Sequence, residues 1–230
     1  MTAIILQARL DSARLPGKAM LPLDNKPLLY RVMQALNHVP AGLRVLACPQ
    51  DSFCVFEPLA QEAGFEIFSG PKEDVLERYC QVIKNYNIDR VIRATGDNPF
   101  VFADAAISIN NEAMALNADY ACFQNLPYGS GVESVLASSL LRAGRDANSL
   151  FEREHVCPHL YNNPLQFMLH RPFAPERWNY PDLRLTVDTQ EDYKRAVILY
   201  AALKDTADKY SGTVIINNYL ELLNSRRIKV

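Results

Sequence analysis

The sequence has no hydrophobic run long enough to cross a membrane, which would need about 20 consecutive apolar residues. Its first apolar run, in MTAIILQARL, reaches Arg9 too soon to be the core of a secretory signal peptide. An excess of charge is also missing: the formal net charge is −2, so no global field draws the chain to nucleic acid or anionic lipid. We therefore expect a cytoplasmic protein that binds neither membranes nor nucleic acids.

Cysteine motifs are absent as well. The five cysteines are odd in number, and no two of them have the C-x-x-C spacing of a metal or redox site. His155 and His159 are four residues apart, as zinc ligands on a helix are, but Pro158 interrupts that helix and the order is not H-E-x-x-H. We expect reduced thiols, most of them buried, and no zinc site.

Short apolar runs alternate with amphipathic segments through the first half of the chain. Continuous apolar runs are typical of buried parallel strands, and repeated strand–helix units indicate a parallel sheet with right-handed crossovers. The expected strands are 3–7, 44–47, 65–68, 89–94 and 119–123, and the expected helices are 28–36 (opened by Pro27), 53–63 (ended by Gly64), 73–86 and 103–116.

The second half is less regular. The expected strands there are 132–136, 167–170 and 184–187, and the expected helices are 138–145, 149–161 (which meets Pro158), 189–203 and 214–223. A chain of 230 residues without repeats, low-complexity tracts or linkers fits one α/β domain, residues 1–230. We expect residues from about 125 to 180 to be an insertion that covers the site or builds a dimer contact.

The segment from Gln7 to Lys18, QARLDSARLPGK, follows the first expected strand. Ligands of open parallel sheets bind beyond the carboxyl ends of the strands, and this loop places the cations Arg9, Arg14 and Lys18 there. Arginine grips phosphate oxygens bidentately, lysine supplies a point charge, and Gly17 lets the backbone approach a ligand closely. The loop therefore predicts a local anion site; a solvated basic loop is the alternative.

Two common nucleotide-binding motifs are missing from this loop. The Walker A motif requires G-x-x-x-x-G-K-[ST], but Ser12 replaces the first glycine and Ala19 follows Lys18. The G-x-G-x-x-G pattern of dinucleotide-binding folds does not follow the first strand either. P-loop hydrolases and nicotinamide enzymes are therefore disfavoured.

Two aspartates stand at the ends of expected strands. Asp97 lies in TGDNP after the fourth expected strand, and Asp188 ends RLTVD before a helix. Each has an ordinary structural alternative, a turn for Asp97 and a helix N-cap for Asp188. Opposite a cationic loop, the two together could hold one magnesium ion, since Mg²⁺ takes one or two protein carboxylates plus phosphate oxygens.

These segments, in order, resemble a known family. QARLDSARLPGK, LPLDNKPLLYRV, EDVLERY, RATGDNP, EREHV and RLTVDTQED are similar to motifs of the spore-coat polysaccharide biosynthesis protein F group. That group belongs to the cytidylyltransferase superfamily, with the 3-deoxy-manno-octulosonate and acylneuraminate cytidylyltransferases. The resemblance runs from near residue 3 to near residue 200. It implies a GT-A-like nucleotide-diphospho-sugar transferase sandwich with a mostly parallel central sheet.

The resemblance also implies site residues. It gives catalytic roles to Arg14, Lys18, Asp97 and Asp188. Arg14 and Lys18 are expected to hold the triphosphate of CTP, and Asp97 and Asp188 to hold Mg²⁺. The other expected nucleotide-binding residues are Gln7, Ala8, Arg9, Gly70 and Asp74. Glu133 is expected near the sugar, and Glu154 and His155 either contact the sugar or hold the insertion in place. In this subgroup an acid often precedes the valine at 132, but Gly131 stands there, which leaves the sugar and any second metal ligand open.

The implied reaction is transfer of CMP from CTP to a sugar acid of the ulosonic or nonulosonic type, with release of pyrophosphate, in surface polysaccharide or glycan synthesis. We expect the enzyme to be a homodimer. One alternative is a GT-A-type glycosyltransferase, although such enzymes usually carry a D-x-D motif and Asn98 and Pro99 follow Asp97. The other alternative is a non-catalytic nucleotide-binding module.

Overall fold

Strands and helices alternate along the first half of the chain, as the hydrophobic pattern predicts. The computed structural model describes residues 1–229. Its strands are β1 (Thr2–Gln7), β2 (Pro22–Leu23), β3 (Lys26–Pro27), β4 (Leu43–Pro49), β5 (Glu66–Gly70), β6 (Arg90–Thr95), β7 (Tyr120–Ala121), β8 (Glu133–Leu136) and β9 (Leu169–His170). Its helices are α1 (Leu28–Leu36), α2 (Phe53–Ala63), α3 (Val75–Tyr86), α4 (Ala103–Ala115), α5 (Ala137–Asp146), α6 (Leu150–His155), α7 (Pro158–Tyr161), α8 (Gln190–Leu203) and α9 (Gly212–Asn224).

The central sheet is parallel over more than half of its width. Strands β5, β4, β1 and β6 lie side by side and run parallel. β8 then joins antiparallel to β6, β7 antiparallel to β8, and β9 parallel to β7. β2 and β3 form a separate short antiparallel pair. The expected α/β class with a mostly parallel central sheet is confirmed.

The side chains of β1 point alternately to the two sides of the sheet and build both halves of the core. Ile4 and Leu6 are fully buried in one apolar cluster, which also contains residues of α1, α2, α4, α8 and α9. Ala3 and Ile5 are fully buried in the other, with residues of α3, α5 and α7. The sheet is therefore a middle layer between two layers of helices, which explains why β1 reads as a continuous apolar run.

The register of the parallel strands fixes where a site can form. Gln7, the last residue of β1, lies beside Ala47 of β4 and Thr95 of β6. The backbone N–H of Gly96 donates to the Gln7 carbonyl at 2.8 Å, so the two chains stay together as they leave the sheet. The loops after β1 and β6 therefore share one edge, where open α/β sheets bind ligands.

The expected strand at 184–187 is wrong. This segment forms a single β-bridge, between Arg184 and Tyr128, instead of a ladder. The Tyr128 carbonyl accepts hydrogen bonds from the Leu185 and Thr186 N–H groups at 2.8 and 3.1 Å. The segment passes an irregular loop, so no neighbouring strand is available to extend the pairing, and isolated backbone hydrogen bonds hold it in place.

The expected helix at 149–161 is also wrong in detail, because the chain forms α6 and α7 with a break between them. Val156 has a φ of 74°, outside the helical region, and Pro158 begins α7, where its missing N–H costs no hydrogen bond. The residues of the expected insertion, about 125–180, contribute β8 and β9 to the sheet and α5 and α7 to one helical layer.

Within residues 1–229, no helix has the length and apolar character needed to span a membrane. The cysteines are free thiols, and Cys48, Cys80 and Cys157 are buried, which agrees with the expectation of reduced and mostly buried cysteines.

Gly129 allows the loop before β8 to dock closely on the segment that leads to Asp188. Its φ is +92°, and a Cβ at this position would lie 2.5 Å from the Thr186 nitrogen and 2.7 Å from the Thr186 Cβ. An L-residue here would meet two separate costs, the strained backbone conformation and the collision with Thr186.

We expect Gly129→Ala to lower the free energy of unfolding by more than about 2 kcal/mol, since strain and overpacking add. The matched control is Gly64→Ala, because Gly64 also has a positive φ, +75°, but no atom within 4 Å of an added Cβ. That variant should lose only about 1 kcal/mol, the cost of the conformation alone. Denaturant unfolding of both variants measures the difference, and equal losses would contradict the close docking of Gly129 on Thr186.

Candidate functional site

A cleft of about 650 Å³ opens at the carboxyl edge of β1 and β6. Its walls are the loop after β1, the loop after β6, the stretch 120–133 and one side of α6. The structure brings to this cleft most of the residues that the sequence singled out, namely Gln7, Ala8, Arg9, Arg14, Lys18, Asp97, Glu133, Glu154, His155 and Asp188.

The loop after β1 has a defined shape that presents cations to the cleft. Gly17 has a φ of 67°, and its N–H donates to the Leu10 carbonyl at 3.2 Å, which closes the loop on itself. The side chains of Arg9 and Arg14 are 48% and 66% exposed. Arg9 has only long ion pairs, 4.0 Å to Asp11 and 3.9 Å to Glu154. Its guanidinium therefore remains able to bind an incoming anion.

Lys18 joins the two aspartates that the sequence paired. Its ammonium donates to Asp97 Oδ2 at 3.0 Å, to Asp188 Oδ1 at 2.9 Å and to the Val187 carbonyl at 2.9 Å. The Lys18 side chain is only 14% exposed. An ammonium has three N–H donors, so all of them are used inside the protein. In this arrangement Lys18 holds the carboxylates together and has no donor left for a phosphate.

Asp188 is the most enclosed carboxylate of the cleft, with a side chain 7% exposed. Arg14 lies 3.0 Å from its Oδ1, and Arg184 donates to its Oδ2 at 2.9 Å. Burial alone would raise the pKa of Asp188, but the hydrogen bond and charge of Lys18, with the charges of Arg14 and Arg184, lower the pKa below its usual value. The carboxylate therefore stays ionised at neutral pH.

The structural alternative for Asp188 is wrong, because Thr189 is the N-cap of α8 and forms a capping box with Asp192. The carboxylate of Asp192 accepts from Arg184 Nε at 3.0 Å, and its Oδ2 accepts from the Asp188 and Thr189 N–H groups at 3.1 and 3.0 Å. Arg184 and Asp192 thus orient Asp188, Arg184 through the Oδ2 atom of its carboxylate and Asp192 through its backbone N–H. The sequence signal for this group is the spacing of Arg184, Asp188 and Asp192 at intervals of four.

The far side of the cleft contains a second ion pair that the sequence did not indicate. Arg93 Nη1 on β6 donates to Glu133 Oε2 on β8, and the Tyr120 hydroxyl donates to Glu133 Oε1 at 2.6 Å. Burial and the charge of Glu133 raise the pKa of Tyr120 well above its usual value, so the phenol keeps its proton. Tyr120, Phe123 and Tyr128 add aromatic surface to this side of the cleft.

Two of the predicted nucleotide contacts, Gly70 and Asp74, do not line the cleft. Asp74 caps α3, where its Oδ1 accepts from the Glu77 N–H at 2.9 Å, and its Oδ2 pairs with Arg153 Nε at 2.8 Å. Gly70 ends β5 and packs on Arg78, whose Cγ would lie 2.9 Å from an added Cβ. Both residues have structural tasks in this arrangement.

The two histidines with the spacing of zinc ligands have contacts within the protein. His159 Nδ1 lies 2.9 Å from Glu152 Oε1, and His155 at the end of α6 packs against the Phe151 ring at 4.4 Å. In the part of the chain that the structure describes, no three His, Cys, Asp or Glu side chains are grouped to hold a metal.

Asp97 and Asp188 nevertheless fit a hard divalent cation that arrives with further oxygen ligands. Mg²⁺ takes one or two protein carboxylates and completes its shell with phosphate oxygens and water. Next to Asp97, the buried Asn98 Oδ1 has no hydrogen-bond partner, which leaves one more oxygen acceptor at this point. The donor set is therefore suitable for magnesium only together with a phosphate ligand.

We expect Asp192→Asn to lower the free energy of unfolding at pH 7 by about 1–3 kcal/mol, since it weakens hydrogen bonds between buried charged groups. Burial alone would raise the pKa of Asp192, but hydrogen bonds from Arg184, Asp188 and Thr189 lower it below its usual value. A depressed folded pKa stabilises the protein above the unfolded pKa of about 3.9, and that contribution is lost as the pH falls through the folded pKa.

The difference between the wild type and Asp192→Asn should therefore be constant from pH 7 to about pH 5 and shrink below about pH 4. Urea unfolding at a series of pH values measures it. Asp205→Asn, at an exposed position, is the matched control and should change stability little at any pH. A difference that does not vary with pH would contradict the role of the ionised Asp192.

Comparison with known proteins places the chain in a family. The sequence model of the cytidylyltransferase family matches residues 3–227. The spore coat polysaccharide biosynthesis protein SpsF of Bacillus subtilis is 33% identical over 218 residues, which cover 92% of this chain and 91% of that protein.

Solved structures agree on the fold. A cytidylyltransferase from Leptospira borgpetersenii superposes with a TM-score of 0.87 at 23% identity, over 98% of this chain and 95% of the other. CMP:2-keto-3-deoxy-manno-octonic acid synthetase, complexed with CTP, superposes with a TM-score of 0.67 at 17% identity, over 87% of this chain and 98% of the other. The family match confirms the resemblance seen in the motifs, and the chain belongs to the cytidylyltransferase family.

Proposed function

We propose that this chain transfers CMP from CTP to a hydroxyl group of a sugar acid and releases pyrophosphate. The observation that carries the proposal is the meeting of Lys18, Asp97 and Asp188 in one cleft, beside the cationic loop that holds Arg9 and Arg14. Cations for a triphosphate and carboxylates for a metal are the parts that nucleotidyl transfer needs, because this chemistry depends on positioning and charge neutralisation.

The base would lie near the end of β1. Gln7 Oε1 is buried without a hydrogen-bond partner, and Gln7 lines the cleft. An unpaired buried acceptor costs free energy until a donor reaches it, and the exocyclic amino group of cytosine is such a donor. Ala8 and Gly96, which also line this part of the cleft, pack closely on each other, since a Cβ on Gly96 would lie 2.8 Å from the Ala8 Cβ. These contacts, with CTP bound in a structural neighbour, support cytosine as the base.

The phosphates would lie between the loop after β1 and the two aspartates. Arg9 and Arg14 are exposed enough to turn toward phosphate oxygens, where a guanidinium binds in a forked geometry. Asp97 and Asp188 would hold Mg²⁺, which, when bound, supplies positive charge that stabilises the phosphate oxygens as pyrophosphate leaves. Arg184 and Asp192 keep Asp188 in place throughout.

The sugar acid would occupy the side of the cleft that contains Glu133. Tyr120 and Arg93 hold Glu133 in a fixed position, and Glu154 and His155 stand at the rim on α6. In the reaction, a sugar hydroxyl oxygen bonds to the α-phosphorus of CTP, and the bond from that phosphorus to the oxygen bridging the α- and β-phosphates breaks. Pyrophosphate leaves with the bridging oxygen, and the hydroxyl proton passes to water. A glycosyltransferase would instead need a sugar nucleotide as donor.

Several finer assignments also stay predictions. These are the GT-A-like character of the fold, the single domain with an insertion at about 125–180, a role in surface polysaccharide synthesis, and a cytoplasmic location. The free thiols of the described cysteines support the last of these, because disulfides are rare in the cytoplasm. Cell fractionation with an antibody would test the location, and a protein recovered only from the culture medium would rule it out.

The proposal also includes a homodimer. Within residues 1–229, β9 has a neighbouring strand on one side only. Leu165, Met168 and Phe173, close to β9 in the sequence, are 101%, 50% and 67% exposed. Exposed apolar side chains beside an open strand edge favour association with another chain.

We expect sedimentation velocity to show a dimer for the wild type and a shift toward monomer for Leu165→Asp, because a buried charge would weaken the interface. Val55→Asp is the control, since Val55 is also an exposed apolar residue, 41% exposed, but lies on α2. A wild type that remains monomeric at micromolar concentration would remove the homodimer from the proposal.

The main test is a pyrophosphate-release screen of four nucleoside triphosphates against a panel of ulosonic acids, with and without Mg²⁺. We expect release with CTP and one class of sugar acid, and only when Mg²⁺ is present. Release with UTP alone would reject the base assignment. Tight CTP binding without release for any acceptor would favour a non-catalytic module.

Asp97→Asn tests the metal assignment in the same assay. We expect kcat to fall at least about 100-fold, as it does when a preorganised electrostatic contact to a transition state is lost. Asp205→Asn again serves as the control and should keep the wild-type rate, since Asp205 lies on the exposed surface after α8. Near-normal release by Asp97→Asn would show that Asp97 is not a metal ligand.

A further inference from the structure

Lys18 occupies the place between the two carboxylates where the proposed function puts a cation. Its ammonium lies 3.0 Å from Asp97 Oδ2 and 2.9 Å from Asp188 Oδ1. The third N–H donates to the Val187 carbonyl at 2.9 Å. Three acceptors for three donors make this a saturated position, and the ammonium neutralises carboxylates that would otherwise repel each other.

Lys18 cannot hold both aspartates and bind a triphosphate at the same time, because its three donors are already used. To stabilise a triphosphate, the ammonium must direct at least one N–H at a phosphate oxygen and so give up a present acceptor. To leave Asp97 and Asp188 open to a divalent cation, it must withdraw from both oxygens. The same displacement satisfies both requirements, since phosphates offer the lysine new anionic partners as the carboxylates receive a new cation.

We propose that Lys18 is an exchangeable internal cation, which closes the Asp97–Asp188 site in the free enzyme and passes to the phosphates when a metal–nucleotide complex binds. The inference rests on the proposed function for the identity of the nucleotide. In this exchange the hydrogen-bond partners of the Lys18 ammonium change, and no covalent bond is made or broken. Metal and nucleotide then bind with positive coupling. A metal without the nucleotide must displace the Lys18 ammonium when no phosphate is present to accept its hydrogen bonds.

The surroundings allow this exchange without collapse of the site. Lys18 lines the cleft, and rotation about the bonds of its flexible four-carbon side chain can redirect the ammonium while the backbone stays in place. Arg184 holds Asp188 by the other oxygen, Oδ2, at 2.9 Å. When the lysine leaves Oδ1, Asp188 therefore keeps its orientation toward the cleft.

The experiment measures Mn²⁺ binding to nucleotide-free protein, using the electron paramagnetic resonance signal of unbound Mn²⁺. Lys18→Met removes the charge and keeps the length of the side chain. We expect this variant to bind Mn²⁺ about tenfold or more tightly than the wild type, since the charged hydrogen bonds of the Lys18 ammonium no longer have to be broken. Lys26→Met, which removes a surface ion pair with Glu62, is the control and should bind Mn²⁺ as the wild type does.

Added CTP should raise the affinity of the wild type for Mn²⁺ strongly and that of Lys18→Met by a smaller factor. Mn²⁺ binding by Lys18→Met that is equal to or weaker than that of the wild type, in protein whose circular dichroism is unchanged, would overturn the proposal. The measurement in nucleotide-free protein requires neither the base nor the sugar. If Lys18→Met binds Mn²⁺ more tightly than the wild type but no pyrophosphate release is found in the screen, the proposed reaction is wrong. The closure of the Asp97–Asp188 site by Lys18 would still be supported.

A second measurement does not depend on the folding of a charge-removing variant. In ¹⁵N NMR spectra of the wild type, a lysine ammonium with three hydrogen bonds should exchange slowly enough to be observed, and Lys18→Arg assigns its signal by loss. We expect CTP with Mg²⁺, without acceptor, to shift this signal, whereas Mg²⁺ alone at the same concentration leaves it in place. A Lys18 signal unaffected by CTP with Mg²⁺ would refute the exchange.

Discussion

The contact between Lys18 and the two aspartates joins parts of the chain that are far apart in sequence. Lys18 belongs to the loop after β1, Asp97 to the loop after β6, and Asp188 to the approach to α8. The Val187 N–H donates to the Asp97 carbonyl at 2.9 Å, so a backbone hydrogen bond also joins the segments that carry the two aspartates. Without the ammonium, two carboxylates would face each other in an enclosed place, which costs free energy. The lysine therefore holds the cleft in shape.

Much of this arrangement could be predicted from a single rule, that parallel strands bring their carboxyl ends to one edge. The apolar runs of β1 and β6 placed the cationic loop and Asp97 side by side, and the register of Gln7 beside Thr95 agrees. Asp188 was assigned to the same edge for a wrong reason, since the segment before it is not a strand. Alternating burial indicates which side chains face inward, but it does not show whether a neighbouring strand is available for pairing.

The partners of the charged groups could not be predicted in this way. Arg93 and Glu133 form a pair because β8 runs antiparallel to β6 and sets these two residues opposite each other. That register depends on how the chain returns after α4, and nothing in the local sequence fixes it. Asp74 shows the converse, since a carboxylate assigned to the ligand serves as a helix cap and pairs with Arg153. The motifs thus include residues that line the cleft and residues, such as Asp74, that do not.

The cleft also shows how a chain with a net charge of −2 can bind a strongly anionic ligand. Three of its cations are held against carboxylates, Arg14 and Lys18 on Asp188 and Arg93 on Glu133. Such pairs keep the free protein stable, because an enclosed charge without a partner is costly. They also set a condition for binding, because a ligand that breaks an ion pair must give each of the two charged groups a new partner. A triphosphate alone would give the cations new partners but leave the carboxylates unpaired. A metal alone would give the carboxylates a new partner but leave the cations unpaired. On the proposed function, only the two together would leave each of these charges with a partner, so the contact between Lys18 and the aspartates would favour the metal–nucleotide complex over either ligand alone.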